Sequence, residues 1–375
     1  MTGSSPTIAT INLSALGHNL REVRRRLPPS CVVLAVVKAD AYGHGATVIA
    51  TALSRLGVTR FGVATIEEGV GLRDAGITGA ILVMGALFPE HIPDLLGYNL
   101  TPIVYDLEFL ERFAHSVPRR PEPYPVHLKV DTGMGRLGFE PEAVLPILRL
   151  PHFKGALRAE GVMTHLADAD SDDPAYTESQ IAQLRSIVKT IEAAGLPVPL
   201  AHAANSAAIL CHPGSHLDLV RPGIMLYGSH TIPCRSPAPD LMPVLTLSTK
   251  VVQVRTLKAG ESISYNRTFV TRRPSRIATL AIGYADGYRR SLSNRATVLL
   301  GGRHAPVVGQ ICMDMTLADV TDVPDVKPGQ DAILIGRHGN LQISAADVAE
   351  WAGTIPYEIL CGIGTRVKRR YVNGS

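Results

Sequence analysis

The stretch CVVLAVVKADAYGHG spans residues 31–45. From Val32 to Val37 it is an unbroken apolar run, as expected of a strand buried on both faces of a helix-covered parallel sheet. The run stops at Lys38 and gives way to Asp40, Tyr42, Gly43, His44 and Gly45. A lysine at the end of a buried strand sits where desolvation lowers an amine pKa. Such an amine serves as a nucleophile toward a carbonyl cofactor or as a general base. The stretch therefore predicts an enzyme with Lys38 at its chemical centre, against the plainer reading of a lysine whose stem lies along the surface.

Outward from this strand, short apolar runs recur at 32–37, 60–64, 80–84, 100–104, 126–130, 159–163, 198–203 and 217–220. Amphipathic stretches such as 46–56, 66–75 and 176–194 lie between them, with Gly57 and Gly195 as C-terminal caps and Pro174 near a helix start. Eight runs alternating with helices predict a (β/α)8 barrel. A doubly wound open sheet shares the alternation, but no GxGxxG follows the first strand. Residues 229–240 (SHTIPCRSPAPD) form a proline-rich linker candidate. Beyond it, strand-like segments at 245–256, 276–283, 297–300, 306–312 and 331–335 predict a mostly β second domain. The expected division is a barrel over 10–235 and a β domain over 236–375, with residues 1–9 a candidate to pair with the latter.

Composition narrows the class. The chain has 375 residues, 46% of them apolar and only 5% aromatic, so the core must be aliphatic. A net charge of +4 is too diffuse to point to nucleic acid. Five cysteines at wide spacings, with no CxxC, indicate neither a disulfide framework nor a zinc site, and no metal is expected. Neither a secretory signal nor an apolar run of about 18 residues is visible, so a cytoplasmic protein without membrane contact is expected.

In a barrel the C-terminal strand ends carry the active site. The polar residues there are Lys38 and Tyr42; Lys129, Asp131 and Arg136; His165; Asn205 and Ser206; and Arg221. Arg136 suits a planar anion because its guanidinium is a fixed fork, although a lone arginine is more often a surface ion-pair partner. His165 reads first as a satisfied buried histidine, and its place on this face adds ring stacking or proton transfer. Asn205 and Ser206 open a helical stretch as an N-cap and a candidate anion site. Gly223 and Ile224, after Arg221-Pro222, offer free N–H groups to the same anion. In the second domain Tyr265, Tyr284, Tyr288, Met313 and Tyr357 read by default as packing residues.

Nine motifs in order carry a resemblance: AVVKADAYGHG, HLKVDTGMGRLGF, GVMTHLADAD, HAANSAA, RPGIMLYG, SYNRTF, GYADGY, ICMDM and TIPYE. Together they resemble the bacterial alanine racemase family, fold-type III enzymes that use pyridoxal 5′-phosphate (PLP). The resemblance implies a barrel followed by a β domain, in a homodimer whose active sites are shared between subunits. It implies that Lys38 holds PLP as a Schiff base and that Tyr42, Ser206, Tyr357, Gly223 and Ile224 bind its phosphate beside Asn205. It places His165 against the pyridine ring, Arg221 at the ring nitrogen, and Arg136 and the Met313 amide at the substrate carboxylate. Lys38 and Tyr265, the latter from the partner subunit, become two opposed bases, and Tyr284 lines the entry path. Lys129 becomes a candidate for carbamylation. Two departures from the family pattern, Asn266 where glycine is usual and Gln310 where arginine is common, bear on substrate breadth. The implied activity is interconversion of L- and D-alanine to supply peptidoglycan. The rivals are a broader racemase, a decarboxylase and a single-barrel PLP carrier.

Overall fold

A computed structural model describes residues 5–197, 199–232 and 239–373. Strand β1 (Ile8–Asn12) leads into a helix over Leu13–Arg25. Asn12 caps that helix, its side chain accepting from the Ser14 and Ala15 amides. Then follow β2 (Val32–Val36), β3 (Arg60–Val63), β4 (Ala80–Val83), β5 (Thr101–Val104), β6 (Tyr124–Lys129), β7 (Leu157–Met163), β8 (Leu200–His202) and β9 (Leu219–Val220). These eight strands are parallel neighbours in the order β8-β7-β6-β5-β4-β3-β2-β9.

The two ends of that order meet. Asp218 N–H donates to Ala201 O at 3.1 Å and Arg221 N–H to Ala204 O at 2.9 Å. The Asp218 carboxylate accepts Ala201 N–H at 2.8 Å, so one side chain replaces a backbone acceptor at the seam. This nearly closed barrel excludes the open sheet. Its core is aliphatic, as the scarcity of aromatics requires: Leu34, Ala35, Ile81, Leu82, Ile103, Val104, Val126, Leu128 and Val162 are fully buried.

The remaining strands are β10 (Leu245–Leu257), β11 (Ser262–Ile263), β12 (Phe269–Val270), β13 (Ser275–Leu280), β14 (Thr297–Leu300), β15 (Arg303–Pro306), β16 (Thr316–Asp319), β17 (Asp331–His338), β18 (Leu341–Ile343) and β19 (Lys368–Val372). Nine strands form one sheet along β15-β14-β17-β10-β1-β19, with β13 and β16 branching from β10 and β18 from β17. β1 runs antiparallel to β10 and parallel to β19, so both ends of the described chain lie in the β unit. β1 continues to Asn12, past the boundary expected after residue 9, and alternates with Ala9 and Ile11 buried. The expected boundary at 235/236 and residues 1–4 lie outside the described residues.

The strand expected at 306–312 does not form. Val307 makes one isolated bridge to Ala318, Gly309 turns at φ +74°, and Cys312 N–H closes a turn onto Met315 O at 2.9 Å. Val307, Val308 and Ile311 are nonetheless buried, so the apolar pattern there reports burial rather than strand pairing.

Candidate active site at the barrel mouth

Lys38 directly follows β2. Ala39, Asp40, Ala41 and Tyr42 then make one left-handed turn, with φ between 51° and 55°. Each non-glycine residue in that conformation costs about 1–2 kcal/mol, so the turn needs external support. Glu68 Oε1 accepts Ala39 N–H at 2.6 Å. The buried His44 ring, through Nδ1, donates to Ala41 O at 3.0 Å and Tyr42 O at 2.8 Å. Arg369 donates to Gly43 O at 3.0 Å, and Asp40 Oδ1 accepts Ala46 N–H at 2.7 Å. A Cβ at Gly45 would lie 1.8 Å from the Tyr371 hydroxyl, so the C-terminal strand closes on this loop where only glycine fits.

Lys38 is exposed at the mouth of the single chain, yet protein surrounds most of its approach. That partial burial, followed by the Arg136 charge, lowers its amine pKa, and Glu68 opposes the shift. Lys129, the last residue of β6, is buried. Burial, then Arg136 and Arg221, bring it down to about 8, against the pull of Asp131. Arg136 stands in a loop shaped by Asp131, whose Oδ1 accepts from Gly133, Met134 and Gly135 at 2.9, 2.8 and 3.1 Å.

Ser206, Gly223, Tyr42 and Tyr357 converge on one side of the mouth. Ser206 Oγ accepts from Gly223 N–H at 2.9 Å and Met225 N–H at 3.3 Å. The Gly223 amide is therefore not free, as the sequence had suggested, because the hydroxyl of the preceding helix claims it. With two N–H groups donating to it, Ser206 Oγ keeps its own proton for an outward acceptor. The Tyr42 and Tyr357 ring centroids are 5.8 Å apart, and neither hydroxyl has a hydrogen-bond partner among the described residues. Burial raises both phenols, Tyr357 to about 12, so both remain protonated donors. Asn205 caps the helix over Ser206–Cys211 by accepting Ala208 N–H at 3.0 Å. Ile224 is buried beside Gly223. This donor set suits a phosphate dianion.

Arg221 lies deeper, 4% exposed. Its Nη2 donates to Thr164 O and Ala203 O, both at 2.8 Å, and approaches His165 Nδ1 at 3.3 Å. Its Nη1 meets His202 Nδ1 at 3.0 Å. Burial lowers Arg221 to about 10, which leaves it charged at neutral pH. His165 is driven down to about 3 by burial and then by Arg221 and Arg136, so its ring is neutral. A protonated arginine and a neutral flat ring suit an aromatic nitrogen base that accepts a hydrogen bond.

The β-unit residues form a separate group. Tyr284 N–H donates to Cys312 O and Ala285 N–H to Met313 O, both at 3.0 Å, while Ser264 Oγ donates to Gln310 O at 2.6 Å. These loops hold out Tyr265, Met313 and Tyr284, which are 62%, 53% and 40% exposed. Among the described residues no hydrogen bond or ring contact joins Tyr265 or Met313 to Lys38, Tyr42 or Arg221. Asn266 has φ +57°, a conformation that asparagine tolerates better than most residues, which accounts for its standing in for glycine. Gln310 Nε2 reaches Thr268 Oγ1 at 3.5 Å.

Several residues around the site were not singled out in the sequence. Glu68 completes a capping box with Thr65, and the spacing of TIEE carries that signal. Tyr227 and Arg369 brace the Lys38 turn from outside, and no local pattern marks them.

The fold and site define the class: a (β/α)8-barrel enzyme with a low-pKa lysine, an anion cradle and a buried arginine at its mouth. Known proteins make this specific. The profile "Alanine racemase, N-terminal domain" matches residues 11–231, and "Alanine racemase, C-terminal domain" matches residues 244–371. An alanine racemase of Halothermothrix orenii is 44% identical, over 98% of this chain and 97% of its own length. The crystal structure of alanine racemase from E. faecalis superimposes with a TM-score of 0.91 at 35% identity, covering 98% of each chain. That of Bartonella henselae, described with covalently bound pyridoxal phosphate, gives 0.87 at 33% identity, over 98% of this chain and all of the other. The chain belongs to the alanine racemase family. It is an isomerase, and its reaction is the racemisation of alanine.

Proposed function

We propose that the chain interconverts L- and D-alanine by a two-base mechanism with PLP, in a homodimer whose active site both subunits build. The observation that carries this reading is the convergence of Lys38, with its lowered pKa, on the donor set of Tyr42, Ser206 and Tyr357 and on Arg221. Lys38 would hold the cofactor covalently. Tyr42, Ser206, Tyr357 and the Ile224 amide would take its phosphate beside Asn205, with Gly223 N–H holding the Ser206 hydroxyl in place. His165 would pack on its ring, and Arg221 would donate to the ring nitrogen. When bound, PLP supplies an electron sink that makes the α-hydrogen of an amino acid acidic.

The remaining work falls to this chain's own groups. Arg136 and the Met313 amide orient the substrate carboxylate. Lys38 moves a proton at the α-carbon on one face, and Tyr265 does so on the other. A lysine amine and a phenol both have reference pKa values of about 10, so each needs lowering to act near neutral pH; Lys38 already shows this shift. Among the described residues no carboxylate is hydrogen-bonded to Arg221, and its guanidinium cannot accept a proton, which leaves the ring nitrogen unprotonated and disfavours the decarboxylase reading. The exposure of Tyr265 and Met313 in the single chain supports their insertion into a partner's barrel mouth, with Tyr284 along the entry path.

The same reading assigns a barrel over 10–235 and a β domain over 236–375, supported by the profile limits of 11–231 and 244–371. It places the chain in the cytoplasm, supplying D-alanine for peptidoglycan. Among the described residues no helix is long and apolar enough to cross a membrane, which accords with that placement. The test is a chiral assay across a panel of amino acids, run beside the visible spectrum of the purified chain. Alanine racemisation and a cofactor band lost in Lys38→Ala are expected. Absence of bound PLP overturns the reading, equal turnover of serine or basic amino acids favours the broad racemase, and carbon dioxide release favours the decarboxylase.

A further inference from the structure

The interior of a (β/α)8 barrel is normally filled by layers of apolar side chains. This barrel carries a polar thread instead. Arg221 Nη1 meets His202 Nδ1 at 3.0 Å, and His202 Nε2 meets His127 Nδ1 at 2.8 Å. His127 Nε2 meets Glu160 Oε2 at 3.3 Å, and Arg60 Nη1 donates to the same carboxylate oxygen at 3.1 Å. Arg158 also donates to Glu160, at 3.4 Å. Both rings are fully buried.

The ends of the thread fix its direction. A guanidinium only donates, so His202 Nδ1 must accept. In a neutral ring the proton then sits on Nε2, which donates to His127 Nδ1. His127 must in turn carry its proton on Nε2 and donate it to Glu160, and an ionised carboxylate only accepts. One tautomer of each ring satisfies every contact, and the reverse order would set an N–H of His202 against an N–H of Arg221. Burial holds both histidines below the ordinary imidazole range and so neutral. The His127 hydrogen bond and the Arg60 charge, against the effect of burial, hold Glu160 well below the usual carboxylate range and so ionised.

The backbone is shaped for this thread. Pairing of β6 with β7 slips between Val126↔Ala159 and His127↔Gly161, which leaves Glu160 as the extra residue of a bulge. Bulges re-aim a side chain in this way. At Gly161 a Cβ would lie 2.0 Å from His127 Nδ1, so glycine makes room for the ring. At the upper end, the two Nη2 hydrogens of Arg221 go to Thr164 O and Ala203 O, and Nη1 goes to His202. With both arms of the planar fork tied, the orientation of Nε–H is set, and it has no acceptor among the described residues.

We propose that Glu160 is a positioning residue for Arg221, acting across the barrel interior through His127 and His202. Its carboxylate closes the acceptor end of a thread whose donor end is the guanidinium, so that both ends demand the same tautomer of each ring and Arg221 is held against an acceptor. The consequence for cofactor rests on the reading that Arg221 faces the PLP ring nitrogen.

The test is nitrogen-15 NMR of the histidine rings in the PLP-loaded enzyme, together with the PLP dissociation constant and the visible band of bound cofactor. Wild-type rings of His127 and His202 are expected to carry their proton on Nε2 alone. Glu160→Gln removes the charge and lets the position donate or accept. A second tautomer should then appear in at least one ring, with a severalfold weaker PLP affinity and a displaced visible band. Arg60→Met removes an ion-pair partner but leaves the carboxylate, so it should keep the wild-type tautomers and band. A wild-type ring protonated on Nδ1 overturns the proposal, without need of any variant. So do unchanged tautomers and band in Glu160→Gln, or equal damage from Arg60→Met, which would mark the cluster as merely structural. If the wild-type chain binds no PLP, the functional reading fails, while the ring tautomers measured on the chain alone still decide the relay.

Discussion

The Glu68 carboxylate grips the Ala39 N–H at 2.6 Å with one oxygen and the Ala64 N–H at 2.7 Å with the other. It thereby ties the first residue of the left-handed turn after Lys38 to the start of the helix over Ile66–Asp74. Glu68→Ala leaves these N–H groups without that acceptor, and stability should fall by about 1–3 kcal/mol, measured by denaturant unfolding. Because Glu68 raises the Lys38 pKa against burial and Arg136, its removal should lower that pKa further. The pH dependence of Lys38 acylation should shift toward acid; a shift toward base would contradict this placement of the carboxylate.

Gly223 faces Tyr42 so closely that a Cβ would lie 2.3 Å from the phenol oxygen. All three of the nearest atoms such a Cβ would meet belong to the Tyr42 phenol, so the steric effect of Gly223→Ala falls on that side chain. Overpacking of this kind costs about 1–3 kcal/mol, which a chain of this size should survive folded. Displacement of Tyr42 should weaken PLP binding, read by equilibrium dialysis, while Gly155→Ala, where a Cβ meets nothing within 4 Å, serves as the control.

Lys129 gives a pH signature. Burial, Arg136 and Arg221 lower its pKa from 10.5 to about 8 in the folded chain. Between those values the unfolded chain binds more protons, so stability should rise with pH across the window from about 8 to 10.5. The destabilising effect is fully present below the lower value. In carbon-dioxide-free buffer, urea midpoints should climb over this range in wild type and climb less in Lys129→Met. The same lowered pKa gives an appreciable neutral fraction of the amine near physiological pH, so 13C-bicarbonate should yield a carbamate signal that Lys129→Ala loses.

The sequence made the barrel legible because each strand is a nearly unbroken apolar run, and burial on two faces leaves that mark. It made Lys38 legible because the run ends on a charge. It did not show how Lys38 is held: Tyr227 and Arg369 come from distant parts of the chain and, like the neighbouring His44, contact backbone carbonyls that any sequence possesses. The left-handed turn was equally hidden, since Ala39, Ala41 and Tyr42 carry no preference for it. The segment 306–312 misled because Val307, Val308 and Ile311 are buried without forming a ladder. Within the apolar runs His127 and Glu160 are isolated polar positions, and the bulge that joins them depends on the partner strand.

The central claim is that Lys38 of one subunit and Tyr265 of the other serve one α-carbon. Mixing Lys38→Ala with Tyr265→Ala and allowing subunits to exchange tests it most directly. In a two-fold dimer the mixed species carries both lesions in one shared site and neither in the other. Racemisation should then recover from near zero to roughly a quarter of wild type, since random exchange makes about half the dimers mixed and each has one intact site. No recovery above the two parent variants, with exchange verified by native mass spectrometry, would contradict a shared site and place both bases within a single chain.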